Sequence, residues 1–136
     1  MHRKLAVRFA LVAVLAAFSI PMWAHHGNAA FDSSKRVTVK GNVVSWLWAN
    51  PHCVLTPDVK DDKGKVVRWS AEATIPSDMA KHGWSRQTFN MGDEVAVTMT
   101  PARNGAPIGR IEKVVLPDGR ALTAGIPPDS PTEPKQ

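Results

Sequence analysis

From Arg36 onward the chain alternates. Val37, Val39 and Gly41 fall on one side and Thr38, Lys40 and Asn42 on the other, the two-residue period of a half-buried strand. Beyond Gly41 the pattern slips, with Val43 and Val44 adjacent and Trp46, Leu47 and Trp48 close behind. A glycine followed by a change of facing predicts a bulge and a bend. A long strand bent midway suits a small barrel, because it can serve both halves of the sheet. The strand ends at Asn50-Pro51. That dipeptide favours turn initiation and keeps the residue before proline extended, so His52 is expected at a strand end.

A second strand is predicted from His52 to Val59, with Pro57 marking a sheet edge or a break. Cys53 reads as a small buried hydrophobe early in it. Asp61-Asp62-Lys63-Gly64-Lys65 is turn chemistry that closes a hairpin onto a third strand, Val66 to Ala73. There Val67, Trp69, Ala71 and Ala73 share one face, and Arg68, Ser70 and Glu72 share the other. No second carboxylate partners Glu72, so it is expected to be solvated rather than an acid catalyst. Thr74 to Gly83 predicts one short helix, with Thr74 or Ser77 as N-cap, Asp78 in the first turn and Gly83 as the stop. His82 near its end has an ordinary explanation in the helix dipole. Glu94 to Thr100 and Gly109 to Leu116 supply the fourth and fifth strands, and Ala121-Leu122 a short last pairing. The order predicts a mainly β fold over residues 36–124: a small five-stranded OB-fold-like barrel with one short helix between strands 3 and 4.

The flanks change the picture. Residues 1–24 read as a signal peptide: a basic start at Arg3 and Lys4, an apolar run from Leu11 to Ile20, and Ala24 at the cleavage position. The run is short for a bilayer, which needs about 20 apolar residues. A periplasmic protein without a membrane anchor is expected after cleavage. Residues 25–35 form an N-terminal arm. The stretch 125–136, with Pro127, Pro128, Pro131 and Pro134, predicts a disordered Pro-rich tail.

Charge and cysteine content remove several functions. The formal charge is +5, but Arg3, Lys4 and Arg8 leave with the signal, so 14 basic and 12 acidic side chains remain, a net of +2. That balance carries no electrostatic footprint for nucleic acid. Cys53 is the only cysteine, which excludes an internal disulfide, a Cys-x-x-Cys site and covalent haem attachment. No phosphate-cradling glycine loop, nucleophile-base arrangement or carboxylate pair stands out, and no enzymatic activity is expected.

The candidate chemistry is nitrogen ligation. Cleavage after Ala24 makes His25 the first residue, with His26 next. An N-terminal histidine can chelate through its amine and its ring, and nitrogen-rich tetragonal geometry suits Cu(II).

Taken together, several motifs form a recognisable pattern: Ala24-His25-His26, Phe31-Asp32, Trp48-Ala49-Asn50-Pro51-His52, Trp69, Gly83-Trp84, Gly92-Asp93 and Leu116-Pro117-Asp118-Gly119-Arg120. The chain resembles domain-of-unknown-function family 6152, small exported bacterial proteins, over essentially all of residues 24–125. Gly27 stands where that pattern carries serine, and Cys53 and Pro57 also depart from it. The resemblance implies no activity. It does pair the terminal histidines with His52, and so implies a three-histidine metal site of His25, His26 and His52, with copper as the expected ion. In outline the chain is also similar to small OB-fold copper chaperones, which makes Met99, Trp46 and Trp48 further candidates. Met99, however, alternates with Val95 and Val97 as a core residue would. The alternative is a non-metal interaction module. There Trp46 and Trp48 would stack on a glycan or anchor a peptide or a periplasmic protein partner, and Trp69 and Trp84 would be core.

Overall fold

A computed structural model describes residues 28–125. The predicted signal peptide, His25, His26 and the tail from residue 126 lie outside the described residues. A single 3-10 turn, Asn28–Ala30, opens the described chain. Then follow β1 (Val37–Leu47), β2 (Val54–Lys60), β3 (Val66–Arg68), β4 (Ser70–Glu72), α1 (Pro76–Lys81), β5 (Glu94–Pro101), β6 (Ile108–Val115) and β7 (Ala121–Thr123). Five strands close on themselves in the order β1-β5-β6-β4-β2 and back to β1; β3 extends β2, and β7 pairs with β6. All pairings are antiparallel except β4 with β6. A bent first strand, this closure and one short helix before β5 make the expected OB-fold-like barrel.

The bend in β1 has a definite origin. Val43 pairs with Pro57 and Ser45 with Thr56, so Val44 is the extra residue of a bulge. The bulge therefore falls where the alternation slips, three residues beyond Gly41. Gly41 serves a different purpose: a β-carbon there would collide with the carbonyl oxygen of Asp58. Only a residue without a side chain lets β1 and β2 approach so closely.

Pro57 neither ends β2 nor lies on a sheet edge, contrary to expectation. It is fully buried and flanked by β1 on one side. On the other side its carbonyl accepts the Trp69 amide at 3.0 Å. Proline has no N–H to return that bond, so the predicted third strand is divided at Trp69 into β3 and β4. The register is the same on both sides, Leu55 against Ala71 and Asp58 against Arg68. The cost of the proline is one missing ladder bond, not a lost strand.

The helix is shorter than predicted, and its cap differs. Ile75 holds the N-cap position with no side-chain hydrogen bond, and Pro76 begins the first turn. Neither Thr74 nor Ser77 caps it. Proline at the first helical position needs no acceptor for a missing N–H and presets the helical φ. Asp78 does lie in the first turn, as expected, and pairs with Lys81 at 2.9 Å.

The core is one cluster of inward residues from every barrel strand: Val43, Cys53, Leu55, Ala71, Val95, Val97, Met99, Ile111 and Val114, with Met79 from α1 beneath them. Met99 is core, as its alternation predicted. Cys53 is fully buried, and burial pushes its thiol above the ordinary range.

Candidate functional site

Alternation along β2 decides what the barrel offers to solvent. Cys53, Leu55 and Pro57 are buried, while His52, Val54, Thr56 and Asp58 face outward. Across the ladder Val54 pairs with Glu72, and Glu72 lies beside Arg110 of β6. The Cys53 amide donates to the Thr74 carbonyl at 3.0 Å, which carries the sheet pattern one step past β4 and sets His52 near Thr74. An open cleft of about 290 Å³ results, lined by His52, Glu72, Thr74, Ile75, Asp78 and Arg110.

His52 is exposed and follows the cis Asn50–Pro51 bond. The cleft thus combines an imidazole, two carboxylates and a guanidinium. Thr74 adds a buried hydroxyl oxygen with no hydrogen-bond partner. A buried polar atom left unpaired costs free energy and asks for an explanation. Glu72, expected to be solvated, is half-buried and lines this cleft. The signal that could have found it is its place opposite the residue two steps after His52, a relation visible only once the register is known.

The arm approaches the same face. The Phe31 backbone bridges to Ala102, the Asp32 amide donates to the Pro101 carbonyl at 2.9 Å, and the Arg103 amide donates to the Ala30 carbonyl at 3.0 Å. The described part of the arm is therefore bonded to the β5–β6 connection. Phe31 is 3% exposed, and the Arg110 guanidinium sits 4.8 Å from the centre of its ring, a cation–π contact. Arg110 thus touches the arm and lines the cleft of His52. His25 and His26, six and five residues before Phe31, lie outside the described residues. Among the described residues alone, no three His, Cys, Asp or Glu side chains group as a metal site.

The tryptophans lie elsewhere. Trp46 and Trp48 have ring centres 5.7 Å apart, and Trp46 also packs 5.8 Å from Trp84 and 5.2 Å from Phe89. The Trp46 indole N–H donates to the Ser85 carbonyl at 2.9 Å, and that of Trp84 to the Thr123 carbonyl at 2.8 Å. Trp84 is buried; Trp46, Trp48 and Trp69 are half-buried against the core. His82 is not part of the cleft. It caps α1 and packs its ring on Gly125.

The profile of a family of unknown function, DUF6152, covers residues 12–111. No curated protein matches the chain.

Proposed function

The chain belongs to DUF6152, a family of unknown function, and from that premise we propose that it is an exported periplasmic metal-binding module. Its ligands are the amine and ring of His25, His26 and His52, and the ion is copper. One observation carries the reading: the anchored arm and His52 share a face, joined through Arg110. Strands in a sheet lie about 4.8 Å apart, so β2 and β6, on either side of β4, are separated by about 10 Å. The 3-10 turn at Asn28–Ala30 advances about 2 Å per residue and the two steps before it add at most about 7 Å, so His26 can lie up to about 13 Å from Phe31, which exceeds that separation. Charge adds little to this reading, because Glu72 lies beside Arg110 and Asp78 is paired with Lys81.

The alternative of glycan or peptide stacking on Trp46 and Trp48 draws less support. The Trp46 N–H is already committed and its ring meets three aromatic neighbours, which leaves less of it for a ligand.

The test is Cu(II) titration with electron paramagnetic resonance on two mature proteins, one beginning at His25 and one extended by Gly-Ser. The expected result is tight binding with a nitrogen-rich tetragonal spectrum that is lost on extension and weakened by His52→Ala. Equal, weak binding by both proteins removes the metal function.

A further inference from the structure

We propose that residues 29–36 form a strap latched to the barrel by the Phe31 ring. The strap opens without the barrel and, in opening, moves Arg110 at the edge of the His52 cleft. The proposal does not depend on the metal reading. Among residues 29–36 Phe31 is the only large apolar side chain. It is 3% exposed yet stands outside the core cluster, so its burial belongs to the strap's own contact and not to the barrel interior. The main chain there makes an isolated bridge, Phe31 with Ala102, and not a ladder. Three further bonds support it. The Asp32 amide donates to the Pro101 carbonyl at 2.9 Å, and Arg103 donates its amide to the Ala30 carbonyl and its Nε to the Ala29 carbonyl, both at 3.0 Å.

The strap has a defined end. Ser33, Ser34, Lys35 and Arg36 are exposed, and Arg36 ion-pairs with Glu112 of β6. The barrel ladder begins at the next residue, where Val37 pairs with Met99 of β5. Lifting residues 29–36 therefore breaks no barrel pairing. Segments with few buried apolar contacts open at lower free energy than the core they rest on. The latch also reaches the cleft. The Arg110 guanidinium lies 4.8 Å from the centre of the Phe31 ring, and an aromatic face attracts a cation. Arg110 is in register with Glu72 of β4 and lines the cleft with His52 and Thr74. When the strap lifts, the guanidinium loses the ring and shifts relative to Glu72. The coupling is reciprocal: a group that draws Arg110 into the cleft weakens the latch by the same factor.

The test is native-state hydrogen exchange by nuclear magnetic resonance, with no metal or ligand added. In the parent, the Asp32 and Arg103 amides should be protected at least about tenfold less than the amides of the β1–β5 ladder. Phe31→Leu keeps an apolar side chain but removes the ring. It should displace the Arg110 Nε–H signal and the Glu72 and Thr74 amide signals, and lower protection at Asp32 and Arg103 by about a further tenfold, with the β1–β5 ladder unchanged. Arg103→Ala should lower protection at Asp32 in the same way, again with the ladder unchanged. Strap amides that exchange only at the rate of the barrel overturn the proposal. So do Arg110, Glu72 and Thr74 signals that stay in place in Phe31→Leu. Failure of Phe31→Leu to fold overturns it as well, because the strap would then belong to the barrel's own cooperative unit.

Discussion

The two sides of the β1–β2 connection are built on opposite terms. On one side, Trp46 and Trp48 join Trp84 and Phe89 in a cluster where the indole N–H groups of Trp46 and Trp84 donate to backbone carbonyls. On the other, a few residues later, His52 stands exposed in a cleft where the Thr74 hydroxyl oxygen has none. The aromatic side is finished within the chain. The histidine side leaves one buried hydroxyl oxygen, that of Thr74, without a partner among the described residues. Richness in tryptophan therefore marks the part that stabilises this barrel, and a modest His-Glu-Thr grouping lines the open cleft.

The sharpest way to break that comparison is to remove one residue from each side. Trp84→Ala empties a buried site between Trp46 and Phe89 and should cost about 3–5 kcal/mol in denaturant unfolding. His52→Ala in the metal-free protein should lie within about 0.5 kcal/mol of the parent. Equal losses would mean that His52 is structural.

Next in size is Thr74→Val, which replaces the unpartnered hydroxyl by a methyl group of similar shape. Unfolding should show no loss, and a gain of up to about 1 kcal/mol. A clear loss would show that the hydroxyl is satisfied in solution and that the cleft is complete without a ligand.

Cys53 sharpens the boundary between core and cleft, being adjacent to exposed His52. Its burial and raised pKa predict that iodoacetamide leaves it unmodified in the native protein at neutral pH and alkylates it on unfolding, as read by intact mass. Native-state modification would mean that the start of β2 opens readily.

The smallest effect concerns the outer face beyond the cleft. Arg68 donates to both carboxylate oxygens of Asp58, at 2.8 and 2.9 Å, and holds its pKa below the ordinary carboxylate range. A depressed native pKa gives stability that is present above the unfolded value, about 3.9, and lost as pH falls through the native one. Asp58→Asn should therefore flatten the acid limb of the melting-temperature profile slightly, with no change near neutrality beyond the loss of an exposed ion pair.

Much of the barrel was legible along the chain because burial imposes a two-residue period. Val95, Val97 and Met99 show it, and so do Trp69, Ala71 and Ala73, and all but Trp69 of these are buried. Pro57 was misread for a physical reason. Its missing N–H is a local fact, but whether that matters depends on what lies opposite. Here it meets a bulge in β1 and a strand that simply forgoes one bond. The helix cap was misread because Thr74 is drawn into pairing with Cys53, leaving Ile75 and Pro76 to start α1. The candidate site was half legible. His52 could be placed at a turn from Asn50-Pro51, whereas Glu72, Thr74 and Arg110 could not be joined to it.

What the sequence determines by itself is whatever depends on neighbours along the chain: strand periodicity, turns at Asp-Gly and Asn-Pro, and the supply of imidazoles near the predicted mature terminus. What only the tertiary structure decided is which of these meet. β4 runs parallel to β6 and antiparallel to β2, and that choice sets Arg110 beside Glu72 and beneath Phe31. No local rule specifies it, because strand pairing across 38 residues, as between Glu72 and Arg110, is selected by closure of the barrel around one core rather than by either segment alone.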